Sequence, residues 1–171
     1  PIKNHVELSE KLNIVGFEES AKVSGNGFYY LKNELAILNQ ALIRFTIDFM
    51  RKKKYEYIEP PLMIKKDILT TSEGMESLAN SIYEIKDTDL ALIGTAEHAL
   101  MAMHKDSLFK KEELPKKYFS YSMCFRKEIG SHGINEKGLW RTHQFNKIEQ
   151  FIFCKPEDSE KYYLELMKNS E

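Results

Sequence analysis

Between Leu31 and Phe49 the apolar residues fall at Leu31, Leu35, Leu38, Leu42, Phe45 and Phe49, with spacings of 4, 3, 4, 3 and 4. That rhythm predicts an amphipathic helix of about five turns, its stripe meeting either a core or a second copy of the chain. The run RKKK, Arg51 to Lys54, closes it. Cations suit the negative end of a helix, and that reading is preferred over a nucleic-acid contact. Upstream, Asn4 is placed to cap a short helix, HVELSEKL, with Val6, Leu8 and Leu12 as its apolar positions. SGNGF, Ser24 to Phe28, is a turn signal separating this lead from the long helix.

After the helix the pattern shortens. YEYIEPP predicts a strand stopped by Pro60 and Pro61, which cannot continue a central ladder. LMIKKDILTTSEGMESLA mixes periods and predicts a short helix and a loop around Gly74. SIYEIKDTDLALIGTAE has two alternating runs about Asp87-Thr88-Asp89 and predicts a hairpin. TAEHALMAMHKDSLF predicts a helix capped by Thr95. In YFSYSMCFRKE, Phe119, Tyr121, Met123 and Phe125 fall on one side, and Ser120, Ser122, Cys124, Arg126 and Glu128 on the other. FNKIEQFIF alternates again, with Phe145, Lys147, Glu149 and Phe151 sharing a face. A long, glycine-dotted loop joins these two strands. Pro156-Glu157-Asp158 starts a last helix, which runs to the end of the chain with no C-cap. The order of elements predicts an α+β domain on a mainly antiparallel sheet flanked by helices.

The chain has 171 residues, 42% of them hydrophobic and 30% charged, with a net charge of −1. These values describe one globular domain, or a large piece of one, and argue against a dedicated nucleic-acid clamp, which would be basic. Cys124 and Cys154 are too few for a disulfide framework and are expected to be reduced core residues of an intracellular protein. No apolar run approaches the length of a membrane helix, and no secretory signal opens the chain. Histidines 98, 104, 132 and 143 give no ligand pair on one face, so no zinc site is expected. His143 is read as a structural histidine before a catalytic one.

The long hairpin concentrates the candidate chemistry. Arg126 and Glu128 lie two residues apart on one strand and therefore on one face. An ion pair between them is the plain reading. Their position where a strand meets a long loop, opposite Phe145 and Glu149, points further. An arginine fork suits phosphate, an aromatic plate suits a purine, and a carboxylate suits an ammonium, so together they describe a site for a nucleotide and an amino acid.

The wording of these motifs resembles class II aminoacyl-tRNA synthetases, and seryl-tRNA synthetases in particular. FRKE followed by GLWRTHQFNKIE resembles motif 2 of that family, over about residues 118–153. LIGTAEHAL resembles its serine-binding Thr-Ala-Glu segment, here residues 95–97. The Leu31 helix with YEYIEPP resembles the dimer-forming motif 1, about residues 31–61, and AKVSGNGFYYL its lead-in. The loop form Ser131-His132-Gly133 and the Ile-Gly before Thr95 are similar to archaeal members.

The resemblance implies roles for residues at matching positions. Arg126 would bind the ATP α-phosphate and act in catalysis, with Lys127, Glu128, Thr142 (through its backbone) and Phe145 completing the ATP site. Thr95, Ala96, Glu97 and Glu149 would bind serine, the carboxylates pairing with its ammonium and accepting from its hydroxyl. Lys127 and the loop from Ile129 to Arg141 would approach the tRNA acceptor end. The implied reaction is ATP-dependent, Mg²⁺-assisted activation of serine to seryl-adenylate and transfer to tRNA(Ser), by a cytoplasmic homodimer built through motif 1, with no membrane partner. Nothing after Phe153 resembles the family's motif 3, and no N-terminal coiled-coil arm is present. The chain therefore reads as an incomplete catalytic domain, inactive by itself. A paralogue charging a carrier protein and a non-catalytic dimerisation module of the same fold are the alternatives.

Overall fold

The computed structural model describes residues 2–69, 81–128 and 137–171. The loop predicted around Gly74 and the Ser131-His132-Gly133 part of the hairpin loop lie outside them. The chain opens with α1 (His5–Leu12), held by a reciprocal capping box in which the Asn4 side chain accepts from Glu7 N and the Glu7 carboxylate accepts from Asn4 N. A two-residue strand β1 (Val15–Gly16) pairs antiparallel with β2 (Tyr30–Leu31). Between them lies α2 (Phe17–Ser24), a helix the apolar spacing does not announce. Its signals are polar: Glu18 and Glu19 in the first turn, and Gly25 after the last with φ 86°, a value a Cβ disfavours.

The long helix α3 runs Asn33–Lys52, so Leu31 belongs to β2 rather than to the helix. Lys53 caps its end and lies over the Phe49 ring, the terminal role read for the basic run. Its buried residue is Met50, whereas Leu38, Leu42 and Phe45 are 62%, 61% and 67% exposed, so the apolar stripe is not core within this chain. β3 (Glu56–Tyr57) follows and pairs parallel with β6 (Lys116–Phe125), which pairs antiparallel with β7 (Gln144–Phe153) along its whole length. The predicted long hairpin is thus the centre of a three-stranded sheet of order β3-β6-β7.

β4 (Met63–Lys65) leads directly into the four-residue α4 (Lys66–Leu69), and β4 pairs with β5 (Leu90–Leu92). The hairpin predicted about Asp87 is present but thin, a single Glu84–Ala91 bridge supported by the Thr88 hydroxyl, which donates to Ile85 O and accepts from Leu90 N. α5 (Ala96–Ala102) starts at the predicted Thr95 cap but ends well before Phe109. After a 3-10 turn at Pro156–Asp158, α6 (Ser159–Ser170) closes the fold.

Strand alternation gives the β6–β7 sheet two different faces. Phe119 is wholly buried against Met50 and Tyr55, with Ile148, Ile152 and Leu166 beside them, so α3 and α6 cover the back. Glu165 fastens α6 there by accepting from Tyr55 Oη at 2.8 Å and Lys117 Nζ at 2.7 Å. The front face carries Ser120, Ser122 and Cys124, all buried, opposite Glu149, Lys147 and Phe145. Short side chains on β6 let α5 lie close over the strands, which brings Thr95 down onto β7. A hydrogen bond from Phe125 N to Ile93 O fastens the end of β6 to the segment leading into α5.

Candidate active site on the front face of the hairpin

Glu149 is the meeting point of the front face. Its Oε2 accepts from the Thr95 hydroxyl at 2.5 Å and from Glu97 N at 3.2 Å, and its Oε1 accepts from Lys147 Nζ at 2.5 Å. Thr95 Oγ1 accepts in turn from Lys147 Nζ at 2.9 Å. Thr95, Ala96, Glu97 and Glu149, the residues matched to amino-acid binding, therefore come together around the cap of α5. Thr95 and Ala96 are buried, while Glu97 is half-buried. Burial, and then the neighbouring Glu149 charge, raises the Glu97 carboxyl above its usual range, with Lys147 opposing.

Arg126 stands beside this cluster at the end of β6. Its Nε donates to Gly94 O at 3.0 Å and its guanidinium lies 5.3 Å from the centre of the Phe145 ring. Among the described residues no acceptor occupies its terminal nitrogens, so two donors of a planar fork remain for a ligand. Gly94 is closely packed on its other side: a Cβ there would lie 2.9 Å from Ile82 Cδ1, whereas Arg126 Cγ at 3.7 Å would be in ordinary contact. Phe145, matched to adenine stacking, has one side engaged by Arg126.

The backbone of Arg126 is held from both directions by His143. Arg126 N donates to His143 O at 2.9 Å, and His143 Nδ1 lies 3.0 Å from both Arg126 O and Tyr83 Oη. His143 N donates to Gly27 O and its ring packs on Phe28, so the SGNGF turn also braces the arginine. Thr142 is buried with its hydroxyl donating to Gln144 O. Glu128 adopts φ 51°, uncommon for a residue with a Cβ, and accepts from Arg141 Nη1 at 2.9 Å across the hairpin. Lys127 is turned elsewhere: its N donates to Ser81 O at 2.7 Å, and its charge adds to that of Lys66 in lowering the Glu84 carboxyl, so it does not join the Glu149 cluster.

The sequence pattern assigns no role to Lys147, Gly94, Tyr83 or His98. The Lys-x-Glu spacing of Lys147 and Glu149 is the available signal for the first, because alternation puts both on one face. His98 is 1% exposed, and neither of its ring nitrogens nor the buried Ser120 hydroxyl has a hydrogen-bond partner among the described residues. Burial lowers the His98 imidazole, which keeps it neutral beneath the charged cluster.

A cavity of about 330 Å³ lies between the Phe28–Leu31 segment and the hairpin, lined by Met123, Asn146 and Phe145 among others. Met123 and Asn146 point to the opposite face from Glu149, and none of Thr95, Glu97, Lys147 and Glu149 lines this cavity, so it is separate from the carboxylate cluster. Among the described residues no three His, Cys, Asp or Glu side chains converge as metal ligands. No described helix is long and apolar enough to cross a membrane.

The profile of the tRNA synthetase class II core domain (G, H, P, S and T) matches residues 82–171, just over half the chain. A serine–tRNA ligase of Nitrosopumilus maritimus is 44% identical over 170 residues, covering 99% of this chain and 40% of that protein. One from Picrophilus torridus is also 44% identical, with 99% and 38% covered. The chain thus spans about 40% of the length of the curated relatives it matches. Among solved structures, seryl-tRNA synthetase from Pyrococcus horikoshii complexed with ATP superposes with a TM-score of 0.92 at 42% identity, over 97% of this chain and 37% of that one. The cytoplasmic serine–tRNA ligase of Naegleria fowleri in complex with AMP gives 0.89 at 35% identity, with 97% and 36% covered.

Proposed function

This chain belongs to the class II tRNA synthetase core family, and we propose from that premise that the complete protein is a serine–tRNA ligase. The observation that carries the reading is the convergence of Thr95, Glu97 and Lys147 on Glu149, beside an arginine whose terminal donors have no acceptor among the described residues. Glu149 and Glu97 receive the ammonium and hydroxyl of serine, and Thr95 adds a neutral contact. Such acceptors disfavour alanine, which would leave them unpaired in a partly buried site.

Arg126 binds the ATP α-phosphate. The serine carboxylate attacks that phosphorus in line, pyrophosphate departs, and the permanently charged fork stabilises the charge that builds on the phosphoryl oxygens. Phe145 offers its open side to adenine, with Glu128 and the Thr142 backbone as further nucleotide contacts. That two similar solved structures are complexes with ATP and with AMP supports an adenine nucleotide as ligand. Mg²⁺ bound with ATP would add to Arg126 in neutralising the phosphate charge. The seryl group then passes to the 3′ end of tRNA(Ser), in the cytoplasm. A second copy of the chain covers Leu38, Leu42 and Phe45 of α3. Sedimentation of the complete protein at a two-copy mass supports that arrangement, and a one-copy mass contradicts it.

The activity is tested by serine-dependent ATP–pyrophosphate exchange on the complete protein. Exchange with serine supports the assignment. Exchange with another amino acid only, or with none, overturns it.

A further inference from the structure

The groups assigned to the substrate amine already hold an amine. Lys147 Nζ donates both to Glu149 Oε1 and to Thr95 Oγ1, so an internal ammonium sits at the acceptors a ligand ammonium needs. The other Glu149 oxygen is engaged by Thr95 and Glu97 N. An incoming amino group must therefore displace Lys147 or share its acceptors.

The surroundings permit displacement. Lys147 stands on the edge strand β7, directly across from Ser122, whose short side chain does not pin the lysine stem. The Lys147 side chain is 31% exposed against 13% for Glu149, so the cation and not the carboxylate is the partner able to move. The charges also constrain what can replace it. Among the described residues, Glu97 and Glu149 stand with Lys147 and Arg126, a balanced set of two acids and two bases. A simple amine entering this set adds a positive charge and strands the displaced lysine in a half-buried site. A zwitterion leaves the balance unchanged, and its carboxylate offers the displaced ammonium a new partner.

We propose that Lys147 is a specificity-determining residue: its ammonium holds the place of the substrate amino group, yields it to an α-amino acid, and re-pairs with the carboxylate that the same ligand brings. The site thereby rejects amines that carry the right side chain but no carboxylate. This inference rests on the amino-acid-activating reading above, and its test separates the two.

The test is calorimetric titration of the complete protein with serine and with ethanolamine, which keeps the hydroxyl and ammonium and lacks the carboxylate. The wild type is expected to favour serine by at least about 100-fold. Lys147→Met is expected to weaken serine at least tenfold and to strengthen ethanolamine, so that the ratio collapses by tenfold or more, while Lys147→Arg restores most of the ratio. ATP affinity serves as the folding control, and Lys147→Gln carries the same comparison if Lys147→Met does not fold. An unchanged ratio, including an equal loss of both ligands, overturns the role of Lys147. If serine does not bind and another α-amino acid does, the seryl reading falls and the ratio is measured on that amino acid and its decarboxylated amine. If no α-amino acid binds, both fall.

Discussion

Thr95 donates its hydroxyl proton to Glu149 across 2.5 Å, joining the cap of α5 to the edge strand β7 from 54 positions further along the chain. The same hydroxyl accepts from Glu97 N, so one oxygen both starts the helix and orients the carboxylate. Local structure and the proposed ligand recognition therefore depend on the same few atoms.

Replacing Glu149 by Gln keeps the shape and removes the charge that faces Lys147. Serine activation is expected to fall by about 10²–10³-fold, the scale of losing a charge-assisted contact at a reacting ligand, with ATP affinity kept within a few-fold. Pyrophosphate exchange and nucleotide titration read the two separately. A loss of ATP affinity as large as that of serine activation would show that Glu149 does not act on the amino acid.

Arg126→Lys retains the charge but loses the fork and the Nε contact to Gly94 O. The expected outcome is a fall of about 10²-fold or more in the rate of adenylate formation, with little change in serine affinity. Stopped-flow measurement of a single turnover distinguishes this from weakened binding.

Much of this arrangement is legible in the amino-acid pattern itself. Period-2 alternation puts Phe145, Lys147 and Glu149 on one face, the Thr95 cap is readable from TAEHAL, and β6 and β7 pair along the predicted runs. What the pattern does not carry has identifiable causes. The α3 stripe has the rhythm of a buried face, yet spacing cannot say whether the covering surface belongs to the same chain. α2 escapes the apolar rhythm because its face is short and its signals are charges and a glycine. The close packing at Gly94 depends on Ile82, from another segment of the chain, and the bracing of Arg126 by His143 depends on backbone pairing that no local pattern encodes.

Gly94 offers a direct check on that long-range packing. Gly94→Ala would place a methyl 2.9 Å from Ile82 Cδ1, inside contact distance in a buried cluster. A loss of about 1–3 kcal/mol is expected, readable as a lowered unfolding midpoint, and Ile82→Val in the same protein is expected to restore part of it.

His98 gives the fold an acid-sensitive point. Burial depresses its imidazole, with Arg126 and Lys147 adding to the effect and Glu149 opposing it. The folded chain thus binds fewer protons at His98 than the unfolded one. Its stabilising contribution is complete above the ordinary imidazole value of about 6.5, and is lost as pH falls from there through the depressed folded value. Melting temperatures followed downward from pH 7.5 are expected to fall more steeply in the wild type than in His98→Gln. Parallel curves would show that His98 does not titrate on unfolding.

If Thr95, Glu97 and Glu149 read the ammonium and hydroxyl of serine beside the phosphate fork of Arg126, the complete protein discriminates by the hydroxyl. The ratio of kcat/KM for serine and alanine in ATP–pyrophosphate exchange, measured on the complete protein, tests it most directly. A pocket that pairs with the hydroxyl predicts a preference for serine on the order of 10⁴. Comparable rates with the two amino acids, within about tenfold of each other, would contradict it.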